Sequence, residues 1–221
     1  SSKPLVIDLT ARGLLEAERV PVITAIIEGR TLFPGTSEVY YYYQNYKSST
    51  SQDFYKTTKM YIGGIYGNWQ LELGDIFKSF QTNIAGRGGY AAYKKNQILF
   101  EALANKNLRS DIENYGGSFL YKLSRLSNVE GGGTYSKNNQ LNFDSKLAFL
   151  GSGFKIGNHR LRLLASVNLL DREIEGKNKH TELGGTFNYA SKIGKVRNNL
   201  NIRYGSPFYY GINSGRFELK S

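Results

Sequence analysis

The sequence predicts an all-β protein, an antiparallel transmembrane β-barrel of about 10 to 12 strands with a short N-terminal β segment ahead of it. Three observations carry the prediction. Segments with period-two alternation recur along the 221 residues, and no stretch sustains the i, i+3, i+4, i+7 spacing of a helix. Clusters of Gly, Asn, Lys and Ser separate these segments at the intervals of an antiparallel meander. The alternating runs are about 9 to 12 residues long, enough to cross a bilayer at a slant and longer than the usual five or six of soluble sheets.

Composition agrees. With 17 Tyr, 12 Phe and 25 Gly against four Pro, the chain is rich in rings that fit a pleated surface and in residues that turn or curve a strand. No cysteine is present, which excludes disulfides and thiolate metal sites. No run reaches the roughly 20 apolar residues of a membrane-spanning helix. The formal charge of +11 is spread along the chain instead of gathered in a block, so it reads as a distributed field able to attract phosphate-rich surfaces.

Residues 1–36 differ from the rest. PLVIDLTARG and VPVITAIIEGRTLFPG hold two β-like apolar runs, and Pro34-Gly35 marks a boundary. The expectation is a small β segment over 1–36 and a barrel over 37–221, whole or part of a larger one. From Glu38 the candidate strands are EVYYYYQNYK, TTKMYIGGIY, a Gly67-Asn68 turn, WQLELGDI, GRGGYAAY, a Lys95-Asn96 turn and QILFEALAN. YGGSFLYKL, VEGGGTYS, LNFDSKLAF, HRLRLLASVNLL, TELGGTFNYAS, VRNNLNIRYG and GRFELK follow. The best helical rival is RLRLLASVNLLDREI, whose Leu161, Leu163, Ala165, Val167, Leu169 series fits a strand equally.

Five strands alternate cleanly enough to assign faces. One face holds Trp69, Leu71 and Leu73; Leu141, Phe143, Leu147 and Phe149; Leu161 to Leu169 at odd positions; Leu183, Phe187 and Tyr189; and Val196, Leu200, Ile202 and Tyr204. A soluble sandwich would turn that face inward. Strand length favours the inverse, and so does the gathering of aromatics near strand ends: Tyr66, Trp69, Tyr115, Tyr135, Tyr189, and the group Tyr204, Phe208, Tyr209, Tyr210. Lipid offers no hydrogen-bond partner, so a sheet crosses it only when closed on itself. The lumen is then expected to be lined by Arg160, Arg162, Arg197, Arg203 and Lys146 against Glu72, Asp144, Glu182 and Glu101. Such groups tolerate burial only in pairs or beside water.

Leu73-Gly74-Asp75, then IFKSFQTNIA, then Gly86-Arg87-Gly88 is the most distinctive stretch. Gly74 interrupts a strand, and an Asp75–Arg87 attraction would pin a loop folded into the lumen; the plainer reading is a curved turn. The LGD and GRG pair resembles the early barrel strands of bacterial outer-membrane ushers and is similar to pairs in other large outer-membrane barrels of Bacteroidota. SPFYYGINSGRFEL and IIEGRTLFP are similar to a segment of usher-like barrels and to the small periplasmic β module before them. The resemblance implies an outer-membrane location, a periplasmic position for residues 1–36, and passage, secretion or assembly of a substrate across the outer membrane. Partners on that reading are outer-membrane lipid and lipopolysaccharide and proteins of a secretion or assembly system. The chain is far shorter than a complete usher and lacks a terminal aromatic, so the expectation is a fragment or a smaller barrel.

A closed, partner-binding barrel without a pore is the rival, since a barrel of this strand number has little room for a channel. An enzyme is not expected. His159 in a Gly-Asn-His-Arg turn and His180 in EGKNKH read as exposed loop residues, and His180 near Asp171 lacks a nucleophile or second histidine. No metal-ligand spacing and no cofactor loop is present; GRGG and EGGGT lack the context of a phosphate loop. Nucleic acid is not expected as a partner: YYYY at 40 to 43 points to both faces of a strand.

Overall fold

The computed structural model describes residues 3–12, 22–34, 37–48, 58–138, 143–174, 177–193, 196–206 and 218–220. They form β1 (Lys3–Arg12), β2 (Val22–Leu32), β3 (Glu38–Ser48), β4 (Lys59–Tyr66), β5 (Trp69–Ser79), β6 (Asn83–Lys95) and β7 (Ile98–Asn107). Then follow β8 (Ile112–Lys122), β9 (Ser127–Asn138), β10 (Phe143–Ile156), β11 (His159–Ile174), β12 (Lys177–Ile193), β13 (Val196–Gly205) and β14 (Glu218–Lys220). All fourteen lie in one sheet in sequence order, each antiparallel to its neighbours, and the described strands leave β1 and β14 as open edges. The helical rival at 160–174 is strand β11, because its apolar residues pair at period two with β10 and β12.

Residues 1–36, expected to stand apart, supply β1 and β2 of this same sheet. β2 pairs with β3 from Leu32↔Glu38 to Val22↔Ser48. The physical reason is the edge: without β2, eleven residues of β3 would present unpaired N–H and C=O groups.

At one end of the sheet the connections are tight. Gly67 (φ 57), Asn96 (φ 50) and Gly157 (φ 56) each open a two-residue turn in the left-handed conformation that suits hairpins. The second turn is Asn96-Gln97, one residue later than the sequence reading, because Lys95 still pairs with Ile98. At the other end the connections before β2, β4 and β14 are the long ones, and β6 is reached through residues 80–82 alone.

The faces are inverted relative to a soluble protein. Twenty-eight large hydrophobic or aromatic side chains are exposed among the described residues, against nine buried hydrophobic ones, and the exposed set includes Leu73, Phe100, Leu163 and Leu183. A water-soluble surface does not carry apolar area on that scale. Leu163, Phe187 and Ile202 are direct neighbours on this outward face. The opposite, inner face buries Asn105, Asn114, Thr134, Ser136, Ser145, Ser166, Asn168 and Glu182.

β10 departs from the expectation. Leu147 is buried on the inner face, while Lys146 is 63% exposed on the outward one with Asp144. The strand is longer than it looked: it runs to Ile156, and over its full length Ala148, Leu150 and Phe154 form the outward set. Lys146 faces Tyr135 and Leu169, so Asp144 and Lys146 do not line the inner face. Leu141 and Asn142 lie outside the described residues, as do Phe208 to Tyr210.

One row of the outward face is charged across eight consecutive strands. Asp75, Arg87, Lys106, Glu113, Lys137, Asp144, Asp171 and Lys179 are successive direct cross-strand partners from β5 to β12.

Candidate functional site

The inner face is the candidate site, and it has two parts. Across β5 to β8 it is filled. Phe80, in the connection between β5 and β6, turns back over the sheet and is 2% exposed, packed with Ile76, Ile84, Tyr90, Ala92 and Leu103. Gly116 on β8 is the floor that receives it: a Cβ there would sit 3.1 Å from the Phe80 ring and 3.3 Å from Ile84. Thr82 Oγ1 lies 3.4 Å from Thr134 Oγ1 on β9. The IFKSFQTN stretch is thus the element that folds onto the inner face.

Around it runs a hydrogen-bonded network. Glu72 accepts from the Tyr40 hydroxyl (2.8 Å) and the Gln70 amide (2.7 Å), and pairs with Lys78 at 3.0 Å. Lys78 Nζ stands 3.8 Å above the centre of the Tyr90 ring, and the Tyr90 hydroxyl donates to Glu101 at 2.6 Å. Ser118 Oγ also donates to Glu101, at 2.8 Å. A hollow of about 810 Å³ opens beside this network, lined by Glu28, Arg30, Glu38, Tyr40, Gln70 and Glu72 among others.

Toward the tight-turn end of β9 to β13 the inner face is open and basic, while farther along the same strands Thr134, Ser136, Ser145, Ser166, Asn168 and Glu182 are buried. Arg160 lies opposite Lys155 and Ala190, Arg162 opposite Gly153 and Asn188, Arg203 opposite Thr186, and Arg197 opposite Lys192. Glu130 on β9 takes Arg162 in a fork, with Nε to Oε1 at 2.6 Å and Nη2 to Oε2 at 2.8 Å. Such a bidentate pair fixes the guanidinium in direction. Arg160 and Lys155 have no acidic partner among the described residues and stand exposed. A second hollow of about 890 Å³ is lined by Lys122, Arg125, Lys155, Arg160, Arg162, Asn128, Asn188 and Asn201 among others. Glu182 sits at the far end of the same face, 7% exposed, accepting a hydrogen bond from Ser206 Oγ.

The structure therefore places Arg160, Arg162, Arg197, Arg203, Glu72 and Glu182 on the inner face, and Lys146 and Asp144 on the outward one. Asp75 and Arg87 are directly opposed in the β5–β6 ladder, with Nη2 to Oδ2 at 2.9 Å. They stand within paired strands, not in a loop on the inner face. What they hold is the start of β4: Asp75 Oδ2 accepts from the Met60 amide at 2.7 Å, and Arg87 Nη2 donates to the Thr58 carbonyl at 2.7 Å. β4 ends its ladder with β5 at Tyr61↔Gly74, so the ion pair supplies the partners that a longer β4 would have given. Gly74 (φ +117) permits the bend, and a Cβ there would run into the Met60 carbonyl.

His159 and His180 are strand residues. His159 Nδ1 and the Tyr189 hydroxyl are 2.8 Å apart. His180 lies opposite Leu170 and Asp171 opposite Lys179, so His180 and Asp171 point to opposite faces and cannot form a dyad. Among the described residues no three His, Asp or Glu side chains gather as metal ligands. Sequence reasoning missed the roles of Phe80, Glu130 and Tyr90. The long polar-to-aromatic gap between LGD and GRG was the only signal for Phe80.

No protein-family model and no curated protein matches the chain. Solved structures do match in fold. The outer membrane protein OpdK from Pseudomonas aeruginosa is 9% identical, with a TM-score of 0.50 over 92% of this chain and 64% of that one. OccK9 (OpdG) of Pseudomonas aeruginosa is 12% identical, with a TM-score of 0.50 over 92% of this chain and 66% of that one. The chain thus spans just under two thirds of the length of each. What it shares with them is the antiparallel sheet of an outer-membrane β-barrel.

Proposed function

We propose that this chain is a porin-like part of a bacterial outer-membrane β-barrel, and that small anionic solutes cross along the basic inner face of β9 to β13. The carrying observation is the inversion of the sheet: leucines and aromatics exposed on one face, asparagines, serines and arginines on the other. In hydrocarbon that arrangement is stable only around a wet interior. Arg160, Arg162, Arg197 and Arg203 then set an electrostatic preference, and the Glu130 fork holds one guanidinium toward the path. No chemistry on the solute is part of the reading.

The secretion-associated, usher-like form of this reading makes a polypeptide the cargo and rests on the LGD and GRG pair. A second reading, a closed barrel whose loops bind a partner, is favoured by one observation, the burial of Phe80 on the inner face. The full chain reconstituted in planar bilayers separates the readings. Steady anion-selective conductance that turns less selective in Arg160→Ala/Arg162→Ala supports the solute path. A stably inserted protein with no conductance would reject it in favour of the closed barrel.

A further inference from the structure

On the outward face of β9 to β12 we infer a docking surface for a phosphorylated glycolipid of the outer leaflet, centred on Lys137, Lys146 and Lys179. The inference rests on the membrane reading above and adds a partner to a face that the solute path does not use.

Depth is the first argument. Along β10, Lys146 is ten residues from Ile156 at the tight-turn end, and at 3.3 Å per residue and a tilt near 40° that is about 25 Å, the height of the apolar band of a barrel. Between them the outward side chains are Phe154, Ser152, Leu150 and Ala148, all uncharged. On β11 the outward residues from Leu161 to Leu169 are likewise apolar, and Asp171 follows. The change from hydrocarbon-compatible to charged therefore falls at one level on neighbouring strands. It lies toward the end with the long connections, which in outer-membrane barrels is the cell exterior.

Chemistry is the second. Lys137 faces Asp144 directly, Asp144 faces Asp171, and Asp171 faces Lys179. The two lysines flanking the carboxylates are three strand spacings apart, about 14 Å. Two carboxylates directly opposite each other repel. The Tyr135 hydroxyl relieves one, donating to Asp144 at 3.1 Å, while Lys146 Nζ lies 4.0 Å from the same carboxylate and 5.6 Å from the Tyr135 ring centre. Cations on either side of hydroxyl acceptors suit a sugar headgroup carrying phosphates at both ends. A single phosphodiester would use one lysine and leave the carboxylates facing each other.

The third argument is room for the acyl chains. Immediately below Lys146 and Tyr135 the outward surface sinks into a hollow of about 490 Å³ floored by Gly117 and Gly133 and walled by Tyr115. Leu150 and Leu169 continue the apolar surface beside it.

The test uses the full chain in nanodiscs, with bisphosphorylated lipid A, its dephosphorylated form, and phosphatidylglycerol as probes, read by native mass spectrometry. The expected result is retention of bisphosphorylated lipid A that falls at least tenfold in Lys137→Ala/Lys146→Ala/Lys179→Ala, with the heat-modified gel band unchanged. Dephosphorylated lipid A and phosphatidylglycerol are expected to bind the native chain as weakly as lipid A binds the triple variant. Equal retention by native and triple-variant protein overturns the inference while leaving the membrane reading intact, as does equal retention of the dephosphorylated lipid. A native chain that fails to enter nanodiscs and shows no heat-modified band overturns both.

Discussion

On β5 to β8 the inner face is packed around Phe80, whereas toward the tight-turn end of β9 to β13 it is open and carries net positive charge. On the first side Phe80 fills the glycine-floored hollow at Gly116, and Glu72 and Glu101 each take two hydroxyl or amide donors or a lysine. On the second side Glu130 serves one arginine, and Arg160 and Lys155 face the hollow without a carboxylate. The same alternation pattern, polar in and apolar out, thus yields a wall packed around one ring in one region and a charged wall in the other. The difference comes from one short connection: residues 80–82 turn inward, and no other described connection places a buried ring on the inner face.

The contrast can be attacked where it is strongest. Arg87→Ala removes one member of a largely buried ion pair and the donor to the Thr58 carbonyl, leaving Asp75 with the Met60 amide but without its cation. The expected loss is about 4 kcal/mol in urea unfolding from vesicles. Phe80→Ala empties the packed half at a cost of about 3 kcal/mol. If Phe80 narrows the path, single-channel conductance rises in the same variant; an unchanged conductance would locate the path wholly along β9 to β13.

Leu183→Arg places a cation on the outward face, where Leu183 is 56% exposed. It should cost about 2 kcal/mol, below the bilayer-midplane maximum, and Thr186→Arg on the inner face should cost far less. Matching losses at the two positions would deny the inversion. The smallest effect on stability is expected for Arg162→Ala. Its side chain is half exposed and its pair with Glu130 contributes under about 1 kcal/mol. Its effect is on passage: with one positive charge fewer, the anion-over-cation preference in bilayers should fall about twofold in moderate salt. A larger drop in stability than in selectivity would make the fork a structural brace.

Much of the fold was legible. Alternation, turn residues and strand length gave an antiparallel sheet with its greasy face outward, and Leu163, Phe187 and Ile202 stand side by side on that face. Arg160, Arg162, Arg197 and Arg203 could be assigned to one face because β11 and β13 alternate without interruption. In β10 the segment LNFDSKLAF covers only seven of the fourteen strand residues, Phe143 to Phe149. The remaining seven residues, Leu150 to Ile156, put Leu150 and Phe154 on the outward face and carry Lys146 with them. Asp75 and Arg87 were recognised as an attracting pair, but their partners on Thr58 and Met60 come from a strand whose end no local pattern marks.

By itself the sequence determined periodicity, and with it which side chains share a face, because in a strand that is fixed by bond geometry alone. The tertiary structure decided the register that lines up eight charges into one row, the inward turn of Phe80, and the pairing of β2 with β3. Those depend on hydrogen bonds between residues far apart in the chain, where a shift by a single position would exchange the two faces of a strand.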